Sequence, residues 1–259
     1  MKKQSAAEFS ASTMFFLASL LTGLVSFVAL GFAWARNRRG TSKRGVVEGF
    51  LADEQRALSF YRIFSAAYDI LNPHLYTKEM REKIVCEIPG GEGLRVLDVG
   101  CGTGYTTAGV LTRKDASEVI AVDMNPVQLK RAAKNLHRER GRLAISRGDA
   151  DRLPFPDGVF DAVISVGAIE YFPDPEKTLK EFSRVAKRGG TVIVGGPDLA
   201  WFGKYGINTV FFTPSTAEMQ DFFLKAGLEA VGTGSTGVNT FFGTGEYVVY
   251  AVGKKPLQD

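Results

Sequence analysis

The chain predicts a doubly wound α/β fold, and three observations carry that prediction. An apolar run, Val96, Leu97 and Val99, reads as a buried parallel strand and breaks into glycines at alternate positions, Gly100, Gly102 and Gly104. Further apolar runs at 119–122, 160–165, 191–194 and 246–252 alternate with helix-length stretches. The composition, 45% apolar and 23% charged over 259 residues, is ordinary for a packed globular protein. That length suits one domain of about 200 residues behind an N-terminal extension.

The extension comes first. Residues 1–12 form a short tail. From Thr13 to Ala35 the chain carries no charge and is dominated by Phe, Leu, Val and Ala. That is about the 20 residues a bilayer-spanning helix needs. Trp34 and the cluster Arg36, Arg38 and Arg39 stand where an interfacial anchor would. A cleaved signal peptide is one alternative, since Ala33-Trp34-Ala35 has a small–x–small form, but the apolar region is long and arginines follow at once. A buried core helix is the other. The net charge of +4 is unevenly placed: residues 1–44 carry +6 and the remainder −2. The basic excess behind the apolar segment predicts a single-pass cell-membrane protein with residues 46–259 in the cytoplasm. Residues 36–45 read as a basic juxtamembrane linker that favours anionic headgroups. No basic stripe is left on 46–259 for a nucleic-acid backbone, which argues against such a partner. Cys86 and Cys101 show neither disulfide nor metal spacing, and no metal-ligand cluster is visible.

The remaining elements follow in order. Leu58, Tyr61, Phe64, Tyr68 and Leu71 recur at three- and four-residue steps, so 46–71 reads as helical, with Pro73 as its stop. The strand at 96–99 gives way to the glycine turn and a helix; the strand at 119–122 ends at Asp123. Gly148-Asp149-Ala150 and Leu153-Pro-Phe-Pro156 precede the strand at 160–165. A helix of mixed charge spans 176–188, and Gly189-Gly190 introduces the strand at 191–194. Ser215 caps a helix that Gly227 terminates. Between the strand at 191–194 and that helix, Trp201, Phe202, Tyr205, Phe211 and Phe212 predict either a satellite hydrophobic cluster or a greasy lid over a site.

The glycine turn sets the chemistry. A strand that breaks into such a turn and then a helix lets a nucleotide-like ligand approach the backbone. Its G-x-G-x-G spacing, with Asp98 two residues ahead, differs from the G-x-G-x-x-G of dinucleotide sites, where pyrophosphate sits on the helix N-terminus. A carboxylate there suits a ligand with an amino-acid ammonium and no phosphate. S-adenosylmethionine (SAM) is such a ligand. Asp123, at the tip of the second strand, is placed to accept both ribose hydroxyls. Asp149, before an apolar clamp, is placed for the adenine amino group. The expected cofactor-binding set is Asp98, Gly100, Cys101, Gly102, Thr103, Gly104, Asp123, Met124, Asp149, Ala150 and Ser165.

From about Tyr61 to Pro197 the chain resembles the class I SAM-dependent methyltransferases. It is most similar to the quinol C-methyltransferases of isoprenoid-quinone biosynthesis, the plastid-type benzoquinol enzymes and their archaeal relatives. The matching segments are Tyr68-Asp-Ile-Leu-Asn-Pro73, Gly148-Asp-Ala150 with Leu153-Pro-Phe-Pro156, and above all Gly167-Ala-Ile-Glu-Tyr-Phe-Pro-Asp-Pro175. The resemblance implies a mostly parallel, seven-stranded Rossmann-like sheet, SAM as methyl donor, and a prenylated quinol or similar hydrophobic acceptor. It also implies that 68–72 lids the donor pocket. The plastid relatives carry their membrane segment after the catalytic domain, whereas here the apolar segment precedes it. A quinol hydroxyl titrates near pH 10, so a positioned base would help to make the ring carbon nucleophilic. Glu170, at the end of the fourth strand, is the first candidate; His74 and Tyr68 are the others. Two other functions stay open: methylation of another lipid or small hydrophobic molecule, and a non-catalytic SAM-binding module. The oligomeric state is not legible.

Overall fold

The computed structural model describes residues 76–113, 115–139, 141–198, 214–237 and 248–258. Helix α1 (Lys78–Val85) precedes strand β1 (Leu94–Val99), followed by α2 (Tyr105–Leu111), β2 (Ala116–Asp123), α3 (Pro126–Asn135), β3 (Leu143–Arg147) and β4 (Phe160–Val166). Next come α4 (Pro175–Val185), β5 (Ala186–Pro197), α5 (Thr216–Lys225), β6 (Glu229–Thr236) and β7 (Val248–Lys254). The strands form one sheet in the order β3-β2-β1-β4-β5-β7-β6. The first five run parallel, and β7 is antiparallel to both neighbours.

Side-chain alternation along the central strands explains why the sheet is covered on both faces. Val96, Ala162, Ile164 and Ile193 point to the face packed by Met80 and Ile84 of α1 and Val110 and Leu111 of α2. Leu97, Val163, Val192 and Val194 point to the other, where Leu179 and Phe182 of α4 and Phe223 of α5 pack. Asp98 shares the face of Val96 by the same period, which brings a carboxylate under α1 and α2. The crossover helices α3 and α4 start where the local residues can cap them, whereas α2 starts at Gly104 with no side-chain cap. Asn125 accepts from the Val127 amide at 2.9 Å with Pro126 behind it, and Asp174 accepts from Lys177 at 3.1 Å with Pro175 behind it. Ser215 and Glu218 form a reciprocal capping box on α5.

Three differences from the sequence expectation have physical causes. Helix α4 stops at Val185, short of 188, because Ala186 already pairs with Phe160. The glycines expected ahead of β5 lie inside it, where the register jumps from Ala186 to Thr191 as a bulge. Strands β3 and β6 lack a clear apolar signal because they are the two edges of the sheet.

The expected transmembrane helix falls on residues 13–35, outside the described residues. No helix among the described residues is long and apolar enough to cross a membrane. The linker 36–45, the helix read at 46–71 and the aromatic stretch 201–212 also lie outside the described residues.

Candidate functional site

In the order β3-β2-β1-β4-β5 the chain runs outward from β1 through β2 to β3, then crosses back to place β4 on the other side of β1. The carboxyl ends of β1 and β4 therefore flank the topological switch point, where open α/β sheets bind ligands. The predicted residues that the structure describes lie at that end. The glycine turn follows β1, Asp123 ends β2, Asp149 follows β3, and Ser165 lies near the end of β4. Glu170 sits on a short 3-10 turn, Ile169–Tyr171, just beyond β4.

The turn needs its first glycine. Gly100 has φ +70°, and a Cβ there would stand 2.6 Å from the Cβ of Ala168. The amides of Gly100 and Cys101 both donate to the Val122 carbonyl, at 2.8 and 3.0 Å. The Asp123 carboxylate ties the turn to β2: its Oδ2 accepts from the Gly102 amide at 2.9 Å and its Oδ1 from Asn125 at 2.8 Å. Burial raises the pKa of Asp123, while those two amides oppose the rise.

Asp98 is 1% exposed. Its Oδ2 accepts from the Thr107 hydroxyl at 2.6 Å, but its Oδ1 is buried and accepts nothing from the protein. Burial pushes its pKa up to about 7, helped by the nearby Asp123 and opposed by Thr107 and the Arg81 charge. The hydroxyls of Thr103 and Ser165 are likewise buried without a hydrogen bond inside the protein. A cluster of that kind needs an explanation, and a missing polar ligand supplies one. Cys101 is buried in the turn, and that burial pushes its thiol pKa up. Around the rim Met124 and Asp149 are exposed and Ala150 is half-buried. Asp149 Oδ1 accepts from the Asp151 amide at 3.0 Å.

Glu170 is buried, and its Oε1 accepts from the Tyr76 hydroxyl at 3.3 Å. Tyr76 packs over Gly167, where a Cβ would stand 3.0 Å from its ring. His74 and Tyr68 lie outside the described residues. Sequence reasoning did not single out Thr107, Tyr76 or Arg81. Arg81 carried no signal, because a charge on a helix ordinarily reads as solvated. Thr107 had a weak one, as a hydroxyl in the first turn of the helix after the glycines.

Comparisons with known proteins agree with this geometry. Residues 97–194 match the family model described as a methyltransferase domain. The chain is 37% identical over 189 residues to 2-methyl-6-phytyl-1,4-hydroquinone methyltransferase 2, chloroplastic, of Oryza sativa, covering 70% of this chain and 53% of that protein. The corresponding Spinacia oleracea enzyme is 36% identical over 187 residues, covering 70% and 54%. The chain thus spans about half the length of the curated relatives it matches. A solved SAM-dependent methyltransferase from Thermotoga maritima superposes with a TM-score of 0.60 at 27% identity, covering 76% of this chain and 99% of that one.

The expected single-pass placement in a cell membrane, with a cytoplasmic catalytic domain, is overturned by these findings. The matched plant relatives are named as chloroplastic, and no spanning helix occurs among the described residues. What the glycine turn, the switch-point acids and the matched segment establish together is that the chain carries a methyltransferase domain of this family over residues 97–194 and takes the SAM-dependent methyltransferase fold.

Proposed function

We propose that the protein C-methylates a prenylated hydroquinone or a closely similar hydrophobic phenol, using SAM. The observation that carries the donor half is the Asp98 Oδ1 atom, buried at the switch point with no partner in the protein. The acceptor class rests on the plant relatives, whose names specify 2-methyl-6-phytyl-1,4-hydroquinone.

In this reading Asp98 holds the ammonium of the donor's amino-acid end, and the turn from Gly100 to Gly104, with Cys101 and Thr103 in it, lets the nucleoside lie against the backbone. Asp123 keeps lone pairs for the ribose hydroxyls after accepting one amide on each oxygen. Met124 and Ala150 flank the adenine, and Asp149 accepts from its amino group. Ser165 offers a buried hydroxyl beside the turn. SAM supplies an electrophilic methyl on a sulfonium. The protein's share is alignment in a dry site and handling of protons. Glu170, oriented by the Tyr76 hydroxyl, takes the proton of the reacting phenol-type hydroxyl, which water alone holds to near pH 10.

The test is transfer of labelled methyl from SAM to 2-methyl-6-phytyl-1,4-hydroquinone by purified protein, with Asp98→Ala and Glu170→Gln alongside. Expected is a labelled hydroquinone from wild type, loss of donor binding in Asp98→Ala, and reduced turnover with donor binding kept in Glu170→Gln. Label in other lipids or small phenols but not in the hydroquinone would move the acceptor. Donor binding without transfer to any of them would leave a non-catalytic SAM-binding module.

A further inference from the structure

Glycine weakens the interior of a strand, yet β5 carries two side by side, Gly195 and Gly196, close to its carboxyl end. Both are buried. Neither lies in the left-handed region, so the backbone conformation does not call for glycine. At 196 the reason is close approach. A Cβ there would stand 2.6 Å from Ile169 Cγ2 and 3.7 Å from Glu170 Oε2. A Cβ at Gly195 would point to the other face of the sheet and meet Ile84 Cδ1 at 3.1 Å.

Ile169 and Glu170 belong to the 3-10 turn beyond β4, and β4 lies between β1 and β5 in the sheet. The turn therefore straddles both neighbours. On the β1 side Ala168 fills the space that Gly100 leaves, and on the β5 side Ile169 fills the space that Gly196 leaves. Ile169 is fully buried, and the Gly167 amide donates to the Gly195 carbonyl at 2.9 Å, which pins the start of the turn to β5. Close packing of this kind transmits a displacement instead of absorbing it. Gly100 also belongs to the donor turn, whereas the atoms that a Cβ at 196 would meet belong to the Glu170 turn alone.

Resting on the reading of Glu170 as the group that takes the acceptor's proton, we propose that Gly196 is a positioning residue for the reaction. Its missing side chain seats Ile169, and that seat fixes where the Glu170 carboxylate meets the acceptor hydroxyl. A side chain at 196 displaces the base and leaves the donor site as it was.

The experiment follows methyl transfer from SAM to 2-methyl-6-phytyl-1,4-hydroquinone, without oxygen, from about pH 7 to about pH 9.5. It uses wild type, Gly196→Ala, Gly195→Ala, Glu170→Gln and the double variant Gly196→Ala/Glu170→Gln. Gly196→Ala is expected to lower kcat by about 10-fold at the low end, with SAM affinity within about twofold. That shortfall should narrow to within about threefold at the high end, where the acceptor hydroxyl begins to ionise unaided. In the Glu170→Gln background the added alanine should cost less than about twofold, since an absent base cannot be misplaced. Gly195→Ala, which crowds Ile84 instead, should keep kcat within about twofold throughout. A Gly196→Ala loss that is constant with pH, or that adds in full to Glu170→Gln, overturns the proposal and leaves Gly196 a packing position. Should Gly196→Ala not fold, Ile169→Ala empties the same contact from the other side and is judged by the same two criteria. If wild type labels no hydroquinone, or Glu170→Gln matches wild type, the reading of Glu170 fails and the role of Gly196 with it. A loss in Glu170→Gln beside an unaffected Gly196→Ala removes this inference alone.

Discussion

The two ends of the sheet are built from the same strands but treat polar groups in opposite ways. At the amino ends the charges find partners within the protein. Arg95 pairs with Glu118 at 2.5 Å, Lys187 with Asp161 at 2.7 Å, and Arg184 with Glu181 at 2.7 Å and Asp157 at 2.6 Å. Arg142 donates to the carbonyls of Leu111, Arg113 and Ala116. At the carboxyl ends Asp98 Oδ1 and the hydroxyls of Thr103 and Ser165 are buried with no such partner. A cleft of about 210 Å³ opens at the amino end, between Ile88, Leu94, Lys187 and Gly190, and of the unmet polar atoms among the described residues Thr191 Oγ1 lies beside it, while Asp98 Oδ1, Thr103 Oγ1 and Ser165 Oγ gather at the other end. Unmet chemistry, more than volume, is what supports the ligand site proposed at the carboxyl end. The amino end is finished for stability, whereas on the proposed reading the carboxyl end gives up stability for binding.

The sharpest way to break that contrast is at Asp98. Its carboxyl sits at about 7 in the fold against an ordinary 3.8, so between those values the folded chain holds a proton that the unfolded chain has released. Ligand-free stability should therefore fall as pH rises from about 4 to about 7, by on the order of 4 kcal/mol in all. Asp98→Asn should flatten this dependence in thermal melts at pH 5 and pH 8, while weakening SAM by about 100-fold or more. A variant that melts with the wild-type pH profile would show that the carboxyl end stores no such penalty.

Next in size is a pair of glycines in the left-handed region. Gly100 has φ +70° with Ala168 in its way, and Gly158, ahead of β4, has φ +67° with open space around it. Alanine at 158 should cost about 1 kcal/mol in urea unfolding, and at 100 about 2–3 kcal/mol, because crowding adds to backbone strain. Equal costs would remove the claim that the turn is held by close approach.

The smallest effects belong to the amino end. Arg184→Met should cost about 1–2 kcal/mol, since the side chain is partly exposed but serves two carboxylates and the carbonyls of Leu153 and Phe155. Glu118→Gln, in a pair about 40% exposed on both sides, should stay within about 0.5 kcal/mol. Neither should move SAM affinity by more than about twofold. A large loss of binding from either would show that the two ends are coupled.

What could be read from the residues follows the same division. Strands β1, β2, β4 and β5 are buried on both faces, so their apolar runs announce them, and the acids at their tips stand out against those runs. Edge strands β3 and β6 have no such background. The type of each acid was legible, but its partners were not, because they come from other elements. Thr107 meets Asp98 across a helix, and Tyr76 meets Glu170 across 94 residues of chain. Arg81 is the clearest case: only the packing of α1 over the switch point turns its charge inward.

Strand β7 closes the sheet from inside, between β5 and β6. Synthesis proceeds in the other order: β5 and then β6 leave the ribosome before the strand that joins them. At roughly 5–20 residues per second, the Thr191–Pro197 edge waits several seconds for Val248–Lys254. During that interval an apolar strand edge with unsatisfied backbone groups is open to pairing with another chain. The nascent protein therefore passes through a stage that needs shielding, and its yield on expression should depend on translation speed and chaperone supply more than its final stability would suggest.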